Sequence, residues 1–141
     1  MKDFLERNKD LGILIMRLGV GLTFLLVHGL PKIQGGPDMW AKVGGAMGNV
    51  GISFAPEFWG FMAAASEFGG GLLLLLGLFT RPASAFMAFT MLMATFQHLH
   101  KLDPWGTVSN PLRLFTVFVA LVFLGAGKYS LDAWLARRKK K

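Results

Sequence analysis

Cysteine is absent from the 141-residue chain. That removes disulfides, thiolate metal ligands, cysteine nucleophiles and iron–sulfur ligation from consideration. Charge is scarce as well: Asp, Glu, Lys and Arg make up 16% of the residues, against roughly 25% in average soluble proteins. With hydrophobic residues at 53%, a soluble bundle of this size would lack polar surface, so the composition argues for a membrane protein. Acidic residues are the rarer charge, and the net charge is +7. The basic excess sits at chain ends and loops, which fits membrane lipid as a partner and gives no soluble basic face for nucleic acid. A signal peptide is not expected either, because the first apolar segment is too long, contains Arg17 and His28, and lacks a small-residue cleavage site.

The apolar residues that are present fall into four stretches of about the 17–25 residues that a helix needs to cross a membrane. They cover about residues 11–33, 58–79, 82–100 and 111–127. Pro82 and Pro111 are each expected at a helix start, where a missing N–H costs little. The expected fold is therefore all-α: one membrane domain over residues 1–141, built as a four-helix transmembrane bundle. "TRPAS" leaves room only for a tight hairpin between the second and third spans. Between the first and second, Met39, Trp40, Val43 and Met47 suit a short interfacial helix facing lipid headgroups, although the glycines there make an irregular loop an alternative.

With four spans, both termini and the "TRPAS" turn share one side. Lys2, Arg7, Lys9, Arg81, Lys128, Arg137, Arg138, Lys139, Lys140 and Lys141 lie there, against Lys32, Lys42, Lys101 and Arg113 on the other. The positive-inside rule then places both termini in the cytoplasm of an inner-membrane protein. The tail from residue 130 reads as a surface helix, with Ser130 as N-cap and Asp132 in the first turn. Its basic run, Arg137, Arg138, Lys139, Lys140 and Lys141, faces anionic lipid or docks a partner.

Ionisable residues inside spans are candidates for function. Arg17, Gly21 and His28 fall on one face of a regular helix, and Lys32 extends that face. In the second span Glu67 shares a face with Gly60, Ala63, Ala64, Gly70 and Gly71, so a neighbouring helix can approach closely and Glu67 should point inward. At 1.5 Å per residue Arg17 lies about 9 Å deep, Glu67 about 18 Å and His28 about 25 Å from the terminal side. Side chains lean toward their own helix N-terminus, which brings His28 and Glu67 together and carries Arg17 away, to snorkel or to make a second contact to the bundle. The expectation is a His28–Glu67 contact, as a ligand or proton site or as structural glue, with Arg17–Glu67 the better pair if the helices shift by a turn. Pro31 removes the hydrogen bond to the Val27 carbonyl and should bend the helix beside His28.

The third span ends in "FQHLHK". His98 and His100 point apart on a helix and cannot readily share a metal, so no metal site is expected. His28 and His98, on separate helices, could in principle ligate a haem iron axially; no second pair or redox motif supports haem, and headgroup contacts are the expectation for His98 and His100. No motif for a flavin, nicotinamide or iron–sulfur cofactor occurs.

"RLGVGLTFLLVHGLPKI", "SEFGGGLLLLLGLFTRPAS" and "GAGKYSLDAWL" resemble, in this order, the three recurring blocks of the DoxX family of small membrane proteins. The resemblance implies a four-helix membrane domain and association with oxidoreductase systems: relatives are subunits of thiosulfate:quinone oxidoreductase or terminal quinol oxidase complexes, and another joins redox-stress assemblies. The recurring polar positions of the family correspond to Arg17, His28, Gly29, Lys32, Glu67, Arg81, Tyr129 and Asp132. Pro31 and "FQHLHK" lie outside the resemblance.

Three functions compete. The first is a redox-linked subunit binding a quinone or similar ligand between helices near the outer leaflet, with His28 bonded to a ring carbonyl, Glu67 orienting His28 or relaying its proton, Arg17 and Lys32 nearby, and Phe24 packed against the ring. Met87, Met91 and Met93 would then line an adaptable pocket or fill the core. Electrons would come from a partner redox protein. The second is a non-catalytic anchor or assembly factor for a partner enzyme. The third is a small-molecule or proton permease, which with four spans would need self-association.

Overall fold

The computed structural model describes residues 2–139; Lys140 and Lys141 of the basic tail lie outside them. The first apolar run forms one continuous rod. It is α-helical over Lys2–Thr23 (α1), π-helical over Phe24–Gly29, and α-helical again over Leu30–Gln34 (α2). Pro31, which has no N–H to give to a carbonyl four residues back, follows directly on the wider turn. There the Leu30 N–H donates to the Leu25 carbonyl, five residues back. One extra residue in the turn rotates everything beyond it by about 100° around the axis.

After the rod come α3 (Gly36–Gly44), a 3-10 segment (Gly45–Val50), α4 (Pro56–Leu76), α5 (Thr80–His100), α6 (Trp105–Leu124) and α7 (Leu131–Arg138). Among the described residues there is no strand. The rod, α4, α5 and α6 run alternately up and down, and α4 is the hub. It touches α1, the π segment, α2, α3 and α5, while α5 packs along α6. The Phe24 and Phe118 rings meet edge-on at 5.0 Å, joining the rod to α6. Phe24, Leu74, Met87, Met91, Phe118 and Leu121 form the buried core. Outside it, Ile15, Leu22, Val27, Phe86 and Phe123 are exposed, an apolar surface of the kind a bilayer solvates.

Three helical stretches are long and apolar enough to cross a membrane: Asn8–Gln34, Pro56–Leu76 and Trp105–Leu124. Of the four expected spans, the one over α5 falls short of that apolarity, although α5 runs the length of the bundle between α4 and α6. α5 has the length, but Arg81, Gln97, His98 and His100 lower its apolarity, and it buries Thr80, Ser84 and Thr95 in the bundle. With the rod counted as one, α3 and α7 raise the described helices to six. Two boundaries also move. α6 begins at Trp105, so Pro111 lies buried inside the helix rather than at its start. The "TRPAS" residues already belong to α5, and the tight turn is residues 77–79, with Gly77 left-handed at φ +63°.

Glycine sets the helix spacing. A methyl group at Gly21 would stand 2.9 Å from the Gly71 carbonyl, and one at Gly29 would overlap the Phe68 backbone. The rod and α4 therefore touch backbone to backbone. The segment expected at the lipid headgroups behaves in the same way. α3 lies antiparallel on α4 with Gly60 against the Trp40 carbonyl and Gly44 against that of Pro56, and Met47 is buried.

Candidate functional site

Close packing of α4 against the rod and α3 determines which groups meet Glu67. Its side chain is 1% exposed and points inward, as its small-residue face requires. The partner is Lys32, whose Nζ lies 2.7 Å from Oε1 and 2.6 Å from Oε2. The expected His28–Glu67 contact is absent. On an unbroken α-helix His28 would continue the stripe from Arg17 and Gly21. The π turn instead brings Gly29 onto the Phe68 backbone and Lys32 over Glu67. His28 is turned aside to half-burial, its ring 4.9 Å from that of Phe24. α3 holds the cation from behind, since Trp40 Nε1 donates to the Lys32 carbonyl at 2.8 Å.

The Lys32–Glu67 pair lines a cavity of about 510 Å³ between α3, the 3-10 segment, α4 and α5. Met39, Val43 and Met47 form one wall, Trp59 and Met62 a second, and Phe89 and Met93 a third. Thr90 Oγ1 and Ser66 Oγ, 3.2 Å apart, add a polar spot. Phe58, Met62, Phe86 and Phe89 line the cavity and are also exposed, so its border is continuous with the apolar outer surface. Lys42, Gln97, His98 and Lys101 line it as well, near the end of α5.

Of the residues expected at a ligand, Lys32 and Glu67 belong to this cavity and Arg17 and His28 do not line it. Phe24, expected against a ring, is buried in the core between His28 and Phe118. Met93 lines the cavity, whereas Met87 and Met91 fill the core. His98 lines the cavity with its Nδ1 held 2.7 Å from Asp103 Oδ2, so it and His28 do not face a common space. Among the described residues no three His, Asp or Glu side chains cluster to hold a metal ion. Sequence reasoning missed Trp59, Ser66, Phe89 and Thr90. The available signal was position: Ser66 adjoins Glu67 in the chain, and Trp59 lies near the start of the same helix.

Of its two expected courses, Arg17 takes the contact to the bundle and does not snorkel. It is 1% exposed and donates to the carbonyls of Leu74 at 3.0 Å, Leu75 at 3.5 Å and Tyr129 at 3.2 Å, and to that of Ala126. A cation at the C-terminal end of α4 complements its dipole and ties the segment leading into α7 to the bundle. Asp132 completes the junction by accepting from the Phe79 and Thr80 N–H groups at 2.8 and 3.1 Å. Ser130 caps α7, as expected, by accepting from the Ala133 N–H.

The DoxX family model matches residues 12–100, a stretch that includes Arg17, the π segment, the Lys32–Glu67 pair and every residue of the cavity wall except Lys101. The chain belongs to the DoxX family. Its relatives are similar along almost their full length. It is 29% identical over 136 residues to "Putative oxidoreductase CatD" of Bacillus subtilis, covering 96% of each chain. It is 28% identical over 140 residues to "Inner membrane protein YqjF" of Escherichia coli, covering 95% of this chain and 99% of that one. No solved structure matches it significantly. Within the DoxX match, Gly29 and Lys32 gain distinct roles: Gly29 sets the approach of the rod to α4, and Lys32 compensates the buried carboxylate. Tyr129 and Asp132, beyond the match, serve the Arg17 junction.

Proposed function

We propose that this DoxX-family protein is a multi-pass inner-membrane subunit of an oxidoreductase system, with both termini cytoplasmic, and that it holds a quinone in the cavity between α3, α4 and α5. One observation carries the reading: a buried carboxylate paired with a part-exposed ammonium lines a largely apolar cavity that borders the apolar outer surface. A lipid-soluble ring enters such a space from the bilayer. The volume lies within the roughly 300–1,000 Å³ of small-ligand pockets. Lys32 Nζ supplies donors to a ring carbonyl, while methionine and phenylalanine side chains adapt to the ring and tail. By the Lys and Arg count the cavity occupies the outer half of the membrane. The chain has no thiol and no dinucleotide motif, so a partner protein delivers or removes the electrons. The name of the Bacillus relative supports the redox association.

The test is extraction in mild detergent, with quinone in the purified protein quantified by mass spectrometry. Bound quinone is expected in the native chain and is lost in Met93→Trp, which fills the cavity while leaving the Lys32–Glu67 pair intact. Equal occupancy in the filled variant overturns the assignment of the site, and absence of quinone from the native protein overturns the function.

A second reading, the membrane anchor for a partner enzyme, is favoured by α7. Leu131, Trp134 and Leu135 are exposed beside Arg137 and Arg138, with Arg138 4.2 Å above the Trp134 ring. Truncation after residue 136 should release a bound partner in a pull-down, and retention of the partner counts against this role.

A further inference from the structure

The hydrogen-bonding capacity left open by Lys32 and Glu67 narrows the ligand further. An ammonium has three N–H donors, and a carboxylate has about four lone-pair positions. Lys32 Nζ lies almost equally close to both Glu67 oxygens, which engages one side of the carboxylate. Trp40 occupies only the Lys32 backbone carbonyl. Among the described residues no other donor reaches Glu67 and no other acceptor reaches Lys32 Nζ. The pair therefore has unused donors and unused acceptor positions side by side at the wall of a largely apolar cavity, the carboxylate buried and the ammonium part-exposed.

A quinone ring has carbonyl acceptors alone. It satisfies the ammonium, but it sets its own lone pairs toward those of the carboxylate. A quinol presents both halves of the match, because its hydroxyl oxygen accepts from Lys32 and its O–H donates to Glu67. We infer that the cavity discriminates by redox state, binding the hydroxyl-bearing reduced ring more tightly than the quinone. The inference rests on the proposed function and assigns the two residues separate tasks: Lys32 reads oxygen in either form, and Glu67 reads the proton that only the reduced form carries. Glu67 is in this sense a specificity residue. A preference for the reduced form raises the potential of the bound couple, by about 30 mV for each tenfold difference in affinity of a two-electron pair.

The experiment uses the full chain in detergent or nanodiscs. Three probes are titrated: a short-chain alkyl benzoquinone, the same compound after chemical reduction, and the dimethyl ether of the reduced compound. The ether keeps the aromatic ring and the acceptor oxygens but has no O–H. The quinol is expected to bind at least about tenfold more tightly than the other two, a difference of about 1.4 kcal/mol. Glu67→Gln should reduce the preference to about threefold or less while quinone itself still binds. Because the ether comparison needs no variant, the inference stays testable if Glu67→Gln fails to fold. Equal affinity for quinol and quinone, or for quinol and ether, overturns the inference and leaves quinone binding standing. Failure of all three probes to bind overturns the proposed function itself.

Discussion

Lys32 and Glu67 stand 35 positions apart in sequence and meet at 2.6 Å, the carboxylate fully enclosed and the ammonium partly open toward the cavity. The contact depends on two features of backbone geometry. Gly29 lets the rod reach the α4 backbone, and the π turn sets the angle at which Lys32 arrives.

Breaking this pair from one side should cost more than removing it whole. Lys32→Met leaves an enclosed carboxylate unpaired. A full burial penalty of about 3–5 kcal/mol shrinks here to about 2 kcal/mol, because the Lys32 side chain is 28% exposed and solvent screens it. The double variant Lys32→Met, Glu67→Met should recover most of that loss. Thermal unfolding in detergent reads both, and a double variant as unstable as the single one contradicts the account.

The helix approach makes a sharp contrast among glycines. Gly29→Ala places a methyl group inside the Phe68 backbone and should cost about 3 kcal/mol, seen as loss of a monodisperse peak in size-exclusion chromatography. Gly12→Ala and Gly19→Ala meet no atom within 4 Å and should be neutral or mildly stabilising, by about 0.4–1 kcal/mol. Equal behaviour of the two sets would be incompatible with the packing.

Arg17 gives a different readout. Arg17→Lys keeps the charge but has no fork to reach four carbonyls on two segments. It should loosen residues 126–132 at a cost of about 2–3 kcal/mol, visible as faster hydrogen exchange there while the cavity still binds its ligand. Unchanged protection of that segment sinks the idea of a junction.

His28 provides the negative control. His28→Ala should leave quinone retention within about twofold of the native protein, since its ring stacks on Phe24 and does not line the cavity. Complete loss of retention with an intact fold would return the site to His28.

The sequence revealed the helices, the inward turn of Glu67 and the capped tail helix, because hydropathy, small-residue faces and capping chemistry are local signals. It pointed to the wrong partner for Glu67 because a single added residue in one turn lies beyond periodicity. Pro31 marked the place but signified only a lost hydrogen bond, and the bundle resolved that loss by widening the turn. The cavity was hidden for a related reason. Trp40 and Met47 look like interfacial residues until Gly44 and Gly60, one on each helix, are known to touch the opposite backbone. For Arg17 the choice between snorkelling and a bundle contact stayed open because its acceptors are main-chain carbonyls, which no residue pattern displays.

The indole of Trp40 grips the main chain of Lys32 from α3, and this joins the α3 wall of the cavity mechanically to the segment that carries the ammonium. Any displacement of α3 would therefore be transmitted to Lys32, which couples that helix's seat to the spacing of the two opposite charges.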